Sequence, residues 1–497
     1  MRALALLAGL LSLTLSTRAH AFDFELTAET VGQGYQLRAG DGTLVDRRRL
    51  TQYVGLSMFN LGPTDVYGNP KPENQLYIEL QLRFDAELAD YANLVELSGR
   101  TPQEELRQDQ LELLWGFVGG KNMAGFLDFK LGRQLMVDLF DYQSFDGLSL
   151  QANTRFHVAL EAWGGLNVTG AAPFDSPVFR TDGVALGGNP LGSLAAREES
   201  ALQPTFGFAL KTIGLPWLQA RISYLRTMSP TENPQPGEPA WGVNEEKLGL
   251  TARGNLLHGM IVPWFGLRYD VLAGEIDEIQ AGVRVNATKH QAIQAEYVFS
   301  APTFDGDSIW NVFAANAFDD ARLTYDVMLG RFRLFARGFT RFFSTDAGNL
   351  GAPTASTGAD VAYGASLGAR LDLGRGYGRL DAYYQDGYGG ITGGADLSGR
   401  IRVTGDPLLG SGLSFEGRLS YVYFEDDSRT IDHASSLGIQ GGARYGFAHG
   451  LTVHVAAEEN INRFFSSQFR LLVMLDVSYL LGIKGGGFPS RTGNLWW

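Results

Sequence analysis

The chain has 497 residues, no cysteine and a formal net charge of −13. Without cysteine there is neither a disulfide framework nor a thiolate metal site, and the seven histidines form no His-x-x-x-His pair that would suit zinc. An acidic chain is also a poor nucleic-acid binder by bulk charge, while this length suits several soluble domains or one large closed sheet.

Residues 1–21 read as a secretory leader. Arg2 gives the positive start, residues 3–15 the apolar stretch, and Ala19-His20-Ala21 the small-residue cleavage site before Phe22. The apolar run is too short to cross a bilayer as a helix. Cleavage removes Arg2 and Arg18, lowering Lys+Arg from 41 to 39 against 54 acids, a net charge of −15. The expected organisation is therefore a signal peptide over 1–21 and a single domain over 22–497.

Beyond the leader, period two dominates. Over 75–88 the even positions are Leu76, Ile78, Leu80, Leu82, Phe84, Ala86 and Leu88, and the odd positions are mostly polar. That alternation fits a strand with one dry and one wet face. Similar segments follow at 126–134, 277–288, 321–330, 379–385, 413–423, 451–458 and 469–481. Each is roughly ten residues, the length a tilted strand needs to cross a bilayer. The pattern predicts an all-β fold: an antiparallel up-and-down transmembrane barrel of about 22 strands, with 18 to 22 as the range. Connections after odd strands are mostly long (88–108, 170–204, 228–244, 301–319, 344–359), and those after even strands are mostly tight (214–216, 288–290, 374–378, 448–450). Residues 61–74 depart from this rule. Thr101-Pro102-Gln103-Glu104 is a capping box, predicting a short helix through Asp109 in an outer loop.

Residues 331–343, RFRLFARGFTRFF, show the wet face most clearly. Arg331, Arg333, Arg337 and Arg341 fall on one side with Phe335 and Phe339, and Phe332, Leu334, Ala336 and Gly338 fall on the other. Such a row of charge cannot fill a packed core, but a water-filled lumen accommodates it. Projecting the other strands the same way predicts a pore lined by Arg221, Arg253, Arg268, Arg284, Arg322, Arg331, Arg333, Arg337, Arg341, Arg379, Arg418 and Arg444. Acids on these faces are fewer: Asp270, Glu296, Asp326, Asp381, Glu416 and Glu458. The early strands contribute Glu79, Asp85, Glu112 and Asp128 against Arg83 and Lys130. Rows of arginine select anions; alternatively, the same arginines pair with carboxylates merely to satisfy a polar interior. A ring this wide needs narrowing, and the long 170–204 loop, with Phe174, Phe179 and Arg180, is the candidate constriction. Trp115, Trp217, Trp264, Tyr388 and Tyr479 are candidates for interfacial girdles.

Residues 130–150, KLGRQLMVDLFDYQSFDGLSL, resemble a hairpin in alginate-export-like and related outer-membrane porin barrels. The matching positions are Gly132, Arg133, Gln134, Phe145, Asp146 and Gly147. The resemblance implies passive transport or export of small anions or an acidic polysaccharide. It also implies a place in the outer membrane of a Gram-negative envelope, reached by the general secretory pathway. Expected partners are outer-membrane lipid, lipopolysaccharide and the barrel-assembly machinery, with no cofactor, no metal and no nucleic acid. Two other readings stay open: a barrel enclosing a partner in an envelope-spanning complex for polysaccharide export or electron transfer, and an outer-membrane hydrolase. The second lacks a motif, because His157, His258, His290, His433, His449 and His454 are scattered.

Overall fold

The computed structural model describes residues 23–38, 44–63, 65, 71, 73–88, 110–138, 141–168, 203–230, 241–301, 317–344, 361–405, 411–425, 433–447, 450–463 and 465–482. The leader, the 101–109 helix and the 170–202 part of the proposed constriction loop lie outside these residues.

The described strands number 22. They begin with β1 (Asp23–Arg38), β2 (Leu44–Phe59), β3 (Gln75–Glu87), β4 (Gln110–Met123), β5 (Leu127–Asp138), β6 (Asp141–Asn153), β7 (Val158–Asn167) and β8 (Pro204–Thr212). There follow β9 (Leu218–Pro230), β10 (Trp241–Gly254), β11 (Ile261–Asp270), β12 (Glu275–Thr288), β13 (Gln291–Ser300), β14 (Phe318–Leu329) and β15 (Phe332–Phe343). The last are β16 (Val361–Asp372), β17 (Gly376–Gly387), β18 (Ile391–Arg402), β19 (Gly412–Glu425), β20 (His433–Gly446), β21 (Leu451–Asn462) and β22 (Gln468–Gly482). Every strand is antiparallel to its sequence neighbours, and β1 pairs with β22 from Asp23↔Gly482 to Tyr35↔Arg470, closing one sheet into a barrel. The strand number and topology read from the sequence are borne out.

Asp23 and Gly482 meet at one rim, here the terminus rim. Odd strands leave it and even strands return. Tight connections gather there, at 289–290, 330–331 and 373–375, while the long connections between β7 and β8, β13 and β14, and β15 and β16 join strand ends at the far rim. Three far-rim turns are tight instead: 139–140, 271–274 and 388–390. The first of them matters below.

One contact identifies the inner face. Arg221 on β9 donates from Nε to Asp138 Oδ2 on β5 at 3.0 Å. Three strands separate these two in the ladder, so only a concave interior brings them together. Arg221 therefore points inward, and its neighbour Ile222, 54% exposed, points outward. Followed through the register, the outward face carries exposed Leu323, Phe332, Leu367, Phe415 and Ile439. Each such side chain left in water forgoes about 1.5–3 kcal/mol. The exterior is built for an apolar surrounding, and the charged side chains line the interior.

Candidate functional site

The interior is not a plain cylinder. The β4–β5 ladder runs from Met123↔Leu127 to Gly116↔Arg133 and stops. Beyond that point β4 stays with β3 as far as Gln110↔Asp85, while β5 continues to Asp138 with β6 alone. The freed edge of the sheet turns into the lumen. Met136 packs on a buried cluster of Phe145, Trp163 and Ala209. Gln143 donates to Thr205 Oγ1 on β8 at 2.6 Å, and Asp138 holds Arg221 on β9. Arg221 also pairs with Glu161, which binds Lys211.

Glycine makes the bend possible. Gly132, Gly147 and Gly165 stand directly opposite one another on β5, β6 and β7, all on the inward face. Gly132 has φ +130°, outside the range other residues adopt. A Cβ at Gly147 would run into the carbonyl of Gly164, and one at Gly165 into that of Asp146. A row without side chains on the concave side lets three adjoining strands crease along one line.

The residues beside the crease hold it. On the convex side Arg133 and Asp146 are cross-strand partners joined by two 2.8 Å hydrogen bonds. Arg133 also donates from Nη1 to the Leu113 carbonyl at 2.9 Å, just past the last β4–β5 pair. One guanidinium thus spans the split and supplies a donor to a carbonyl beyond the end of the shared ladder. On the concave side buried Gln134 donates to the carbonyls of Lys130 and Gly147 at 3.1 Å each and accepts from Ser149 Oγ at 2.6 Å. The Gly-Arg-Gln and Phe-Asp-Gly triplets are therefore the two halves of a fold line.

Of the twelve arginines expected in the pore, eleven lie on inward-facing strand positions. Arg331 instead sits in the turn between β14 and β15 on the terminus rim. Most of the eleven are matched by acid. Arg341 and Arg322 share fully buried Asp320 at 2.7 and 3.0 Å, and Arg322 also approaches Glu296 at 3.6 Å. Arg333 binds Asp326 at 2.7 Å, Arg418 binds Asp396 at 2.7 Å, Arg379 binds Asp381 at 2.5 Å, and Arg268 binds Asp277 at 3.2 Å. Four have no carboxylate at ion-pair distance among the described residues: Arg253, Arg284, Arg337 and Arg444. Arg284 donates to Asn286 Oδ1 at 3.0 Å and Arg337 to Thr324 Oγ1 at 3.1 Å. Arg370, Arg400 and Arg402 also face inward, a set the sequence reading missed. Arg370 binds Asp372 at 3.0 Å. In the early strands Asp85 joins Arg49 and Arg83 at 2.9 and 3.0 Å, and Glu112 joins Arg83 at 2.6 Å. His454 pairs with Glu416 at 2.7 Å rather than with Glu458 on its own strand. No cluster of three metal-ligating side chains occurs among the described residues.

Six inward aromatic rings are accommodated in one way. Tyr77, Trp163, Trp264, Phe335, Phe339 and Tyr383 stand opposite Gly119, Gly207, Gly282, Gly368, Gly364 and Gly394, respectively, on the adjoining strand. At each of these glycines a Cβ would come within 2.7 Å of the ring. The rings lie flat along the wall over the bare backbone and leave the bore to water and charge. Gly368→Leu is expected to lift Phe335 into the lumen and lower single-channel conductance, and Phe335→Ala in the same chain to restore it.

This placement corrects part of the expected girdle, because Trp115 and Trp264 face inward. Trp217 is in the terminus-rim turn, and Tyr388 stacks on Phe343 at 4.0 Å in a far-rim turn. Tyr479 faces outward near the terminus rim, as a girdle residue would. The proposed constriction residues Phe174, Phe179 and Arg180 lie outside the described residues.

No protein-family profile matches the chain, and no curated protein matches it in sequence. Among solved structures it is similar to OccK1 (OpdK) of Pseudomonas aeruginosa, at 11% identity over 93% of this chain and 99% of that one, with a TM-score of 0.43. OccAB4 of Acinetobacter baumannii matches at 8% identity over 93% and 98%, TM-score 0.43. A BenF-like porin from Pseudomonas fluorescens Pf-5 matches at 10% identity over 93% and 99%, TM-score 0.42. The alginate-export-like resemblance of residues 130–150 finds no support in these comparisons.

Proposed function

We propose that the protein is an outer-membrane channel for the passive diffusion or export of small anionic solutes. It reaches that membrane through the general secretory pathway after loss of residues 1–21, and lies among outer-membrane lipid and lipopolysaccharide. The observation that carries this reading is the division of the two faces. The exterior is apolar, whereas the interior holds ion pairs together with inward guanidinium groups that have no carboxylate at ion-pair distance among the described residues: Arg253, Arg284, Arg337, Arg400, Arg402 and Arg444. An uncompensated guanidinium beside water attracts carboxylate, phosphate and sulfate. The folded β5–β6 hairpin serves as the narrowing element that a ring of this width requires. It also takes up lumen space that a threaded partner protein needs, which favours a channel over the barrel of an envelope-spanning complex.

Reversal potentials across planar bilayers in a potassium chloride gradient test the proposal. The expected sign is that of chloride preference. A potassium preference, or a purified barrel that conducts no ions, overturns it.

A further inference from the structure

The uncompensated arginines are not spread evenly. Arg402 is the last residue of β18, Arg400 lies two before it, and Arg444 lies two before the end of β20. Both strands end at the terminus rim. The register then brings the three together. Ser414 on β19 stands directly opposite Arg402 on one side and Arg444 on the other, all facing inward. Arg400 donates from Nη2 to Ser414 Oγ at 3.1 Å. Strands are about 4.8 Å apart and same-face neighbours about 6.8 Å apart, so three inward-facing arginines flank one buried serine within the span of a single small solute. The acid of this neighbourhood among the described residues is Glu416, which stands directly opposite Arg400 and pairs with His454 at 2.7 Å. Three fixed positive charges therefore face one carboxylate, a surplus of two among the described residues.

We propose that Arg400, Arg402 and Arg444, gathered around Ser414 at the terminus rim, form a binding site for a dianionic oxyanion group, phosphate or sulfate. The site rests on the channel reading only in that its face must be open to water. A monocarboxylate presents one edge and satisfies one guanidinium, whereas a tetrahedral dianion offers acceptors in several directions and matches the surplus of charge. The site differs from the acid-paired arginines of the wall. Arg322, Arg333, Arg341, Arg379 and Arg418 already spend their donors on Asp320, Asp326, Asp381 and Asp396. As a capture point at one mouth, it would load the anion from the side on which the chain termini lie.

Calorimetric titration of the purified full-length barrel in detergent tests this without any transport assay. Inorganic phosphate and sulfate are each expected to bind saturably with one site per chain. Arg400→Gln with Arg444→Gln is expected to weaken binding at least about tenfold. Lys289→Gln, which removes a charge from a turn of the same rim, is expected to leave it unchanged. Glucose 6-phosphate and inorganic phosphate separate the two sources of the group: tighter binding of the ester assigns the site to a phosphorylated solute, and tighter binding of the free ion assigns it to inorganic phosphate. Absence of saturable binding by the native protein, equal binding by the double variant, or glucuronate binding as tightly as phosphate overturns the proposal. A barrel that binds phosphate yet conducts no anions would instead refute the channel reading and leave the site standing.

Discussion

Gly147→Val is expected to widen the channel, raising single-channel conductance severalfold. Valine adds a branched Cβ on the concave side of the fold line, where the carbonyl of Gly164 already occupies the space. The strand can accept it only by straightening, and a straightened β6 carries the hairpin tip away from β8 and β9. Gln143 then loses Thr205, and Asp138 loses Arg221. Met136 and Phe145 lose their packing, which costs about 2–5 kcal/mol for side chains of this size. The outer wall, zipped elsewhere along every strand, remains closed. Conductance in planar bilayers reads the bore, and retention of a compact, heat-sensitive band on electrophoresis shows that the barrel still forms. A folded variant with native conductance would mean that the hairpin is not the narrowest point.

Arg337→Glu is expected to move selectivity toward cations, while removal of a neutral pair should leave it almost unchanged. Arg337 lies near the middle of β15 with Thr324 as its hydrogen-bond partner, so it contributes a whole positive charge to the lumen. Arg333 on the same strand is cancelled by Asp326. Two unit charges 4 Å apart interact by about 1 kcal/mol even in bulk water, a factor of about five in ion occupancy. Glutamate at 337 changes the local charge by two units. The double substitution Arg333→Gln with Asp326→Asn changes it by none. Reversal potentials should therefore shift strongly for the first and stay near native for the second. Equal shifts would mean that net charge along the wall, rather than its uncompensated members, sets the preference.

Strand positions were legible because each strand has one face on lipid-like surroundings and one on water, and that difference repeats every two residues. Residues 332–343 divide into odd and even sides as their sequence suggests, and 75–87 behave likewise. The shared face of Arg379 and Asp381, two residues apart and joined as an ion pair, was legible for the same reason. Features that depend on register were not. Gly132, Gly147 and Gly165 are far apart in the chain, and nothing local says that they stand in one row. A bulge at Leu114 shifts β4 by one residue, so that Gln81 faces Trp115 but Leu82 faces Leu113. Parity counted from the apolar end of that strand therefore puts Trp115 on the wrong side. The narrowing element was sought in the longest loop, yet the visible one is a hairpin with a two-residue turn, which carries no signal of length. The pairing of Gly364 and Gly368 with the rings of Phe339 and Phe335 is likewise a matter of register, which nothing local in the sequence marks.

The joint between β1 and β22 has a consequence for how the molecule is made. The edge from Asp23 to Tyr35 finds its partner only in residues 470–482, the last strand to emerge. Until that strand is in place the sheet must carry two open, hydrogen-bond-hungry borders, each able to recruit a stray strand. A product truncated before Gln468 would leave the Asp23–Tyr35 edge without its partner and the barrel unsealed.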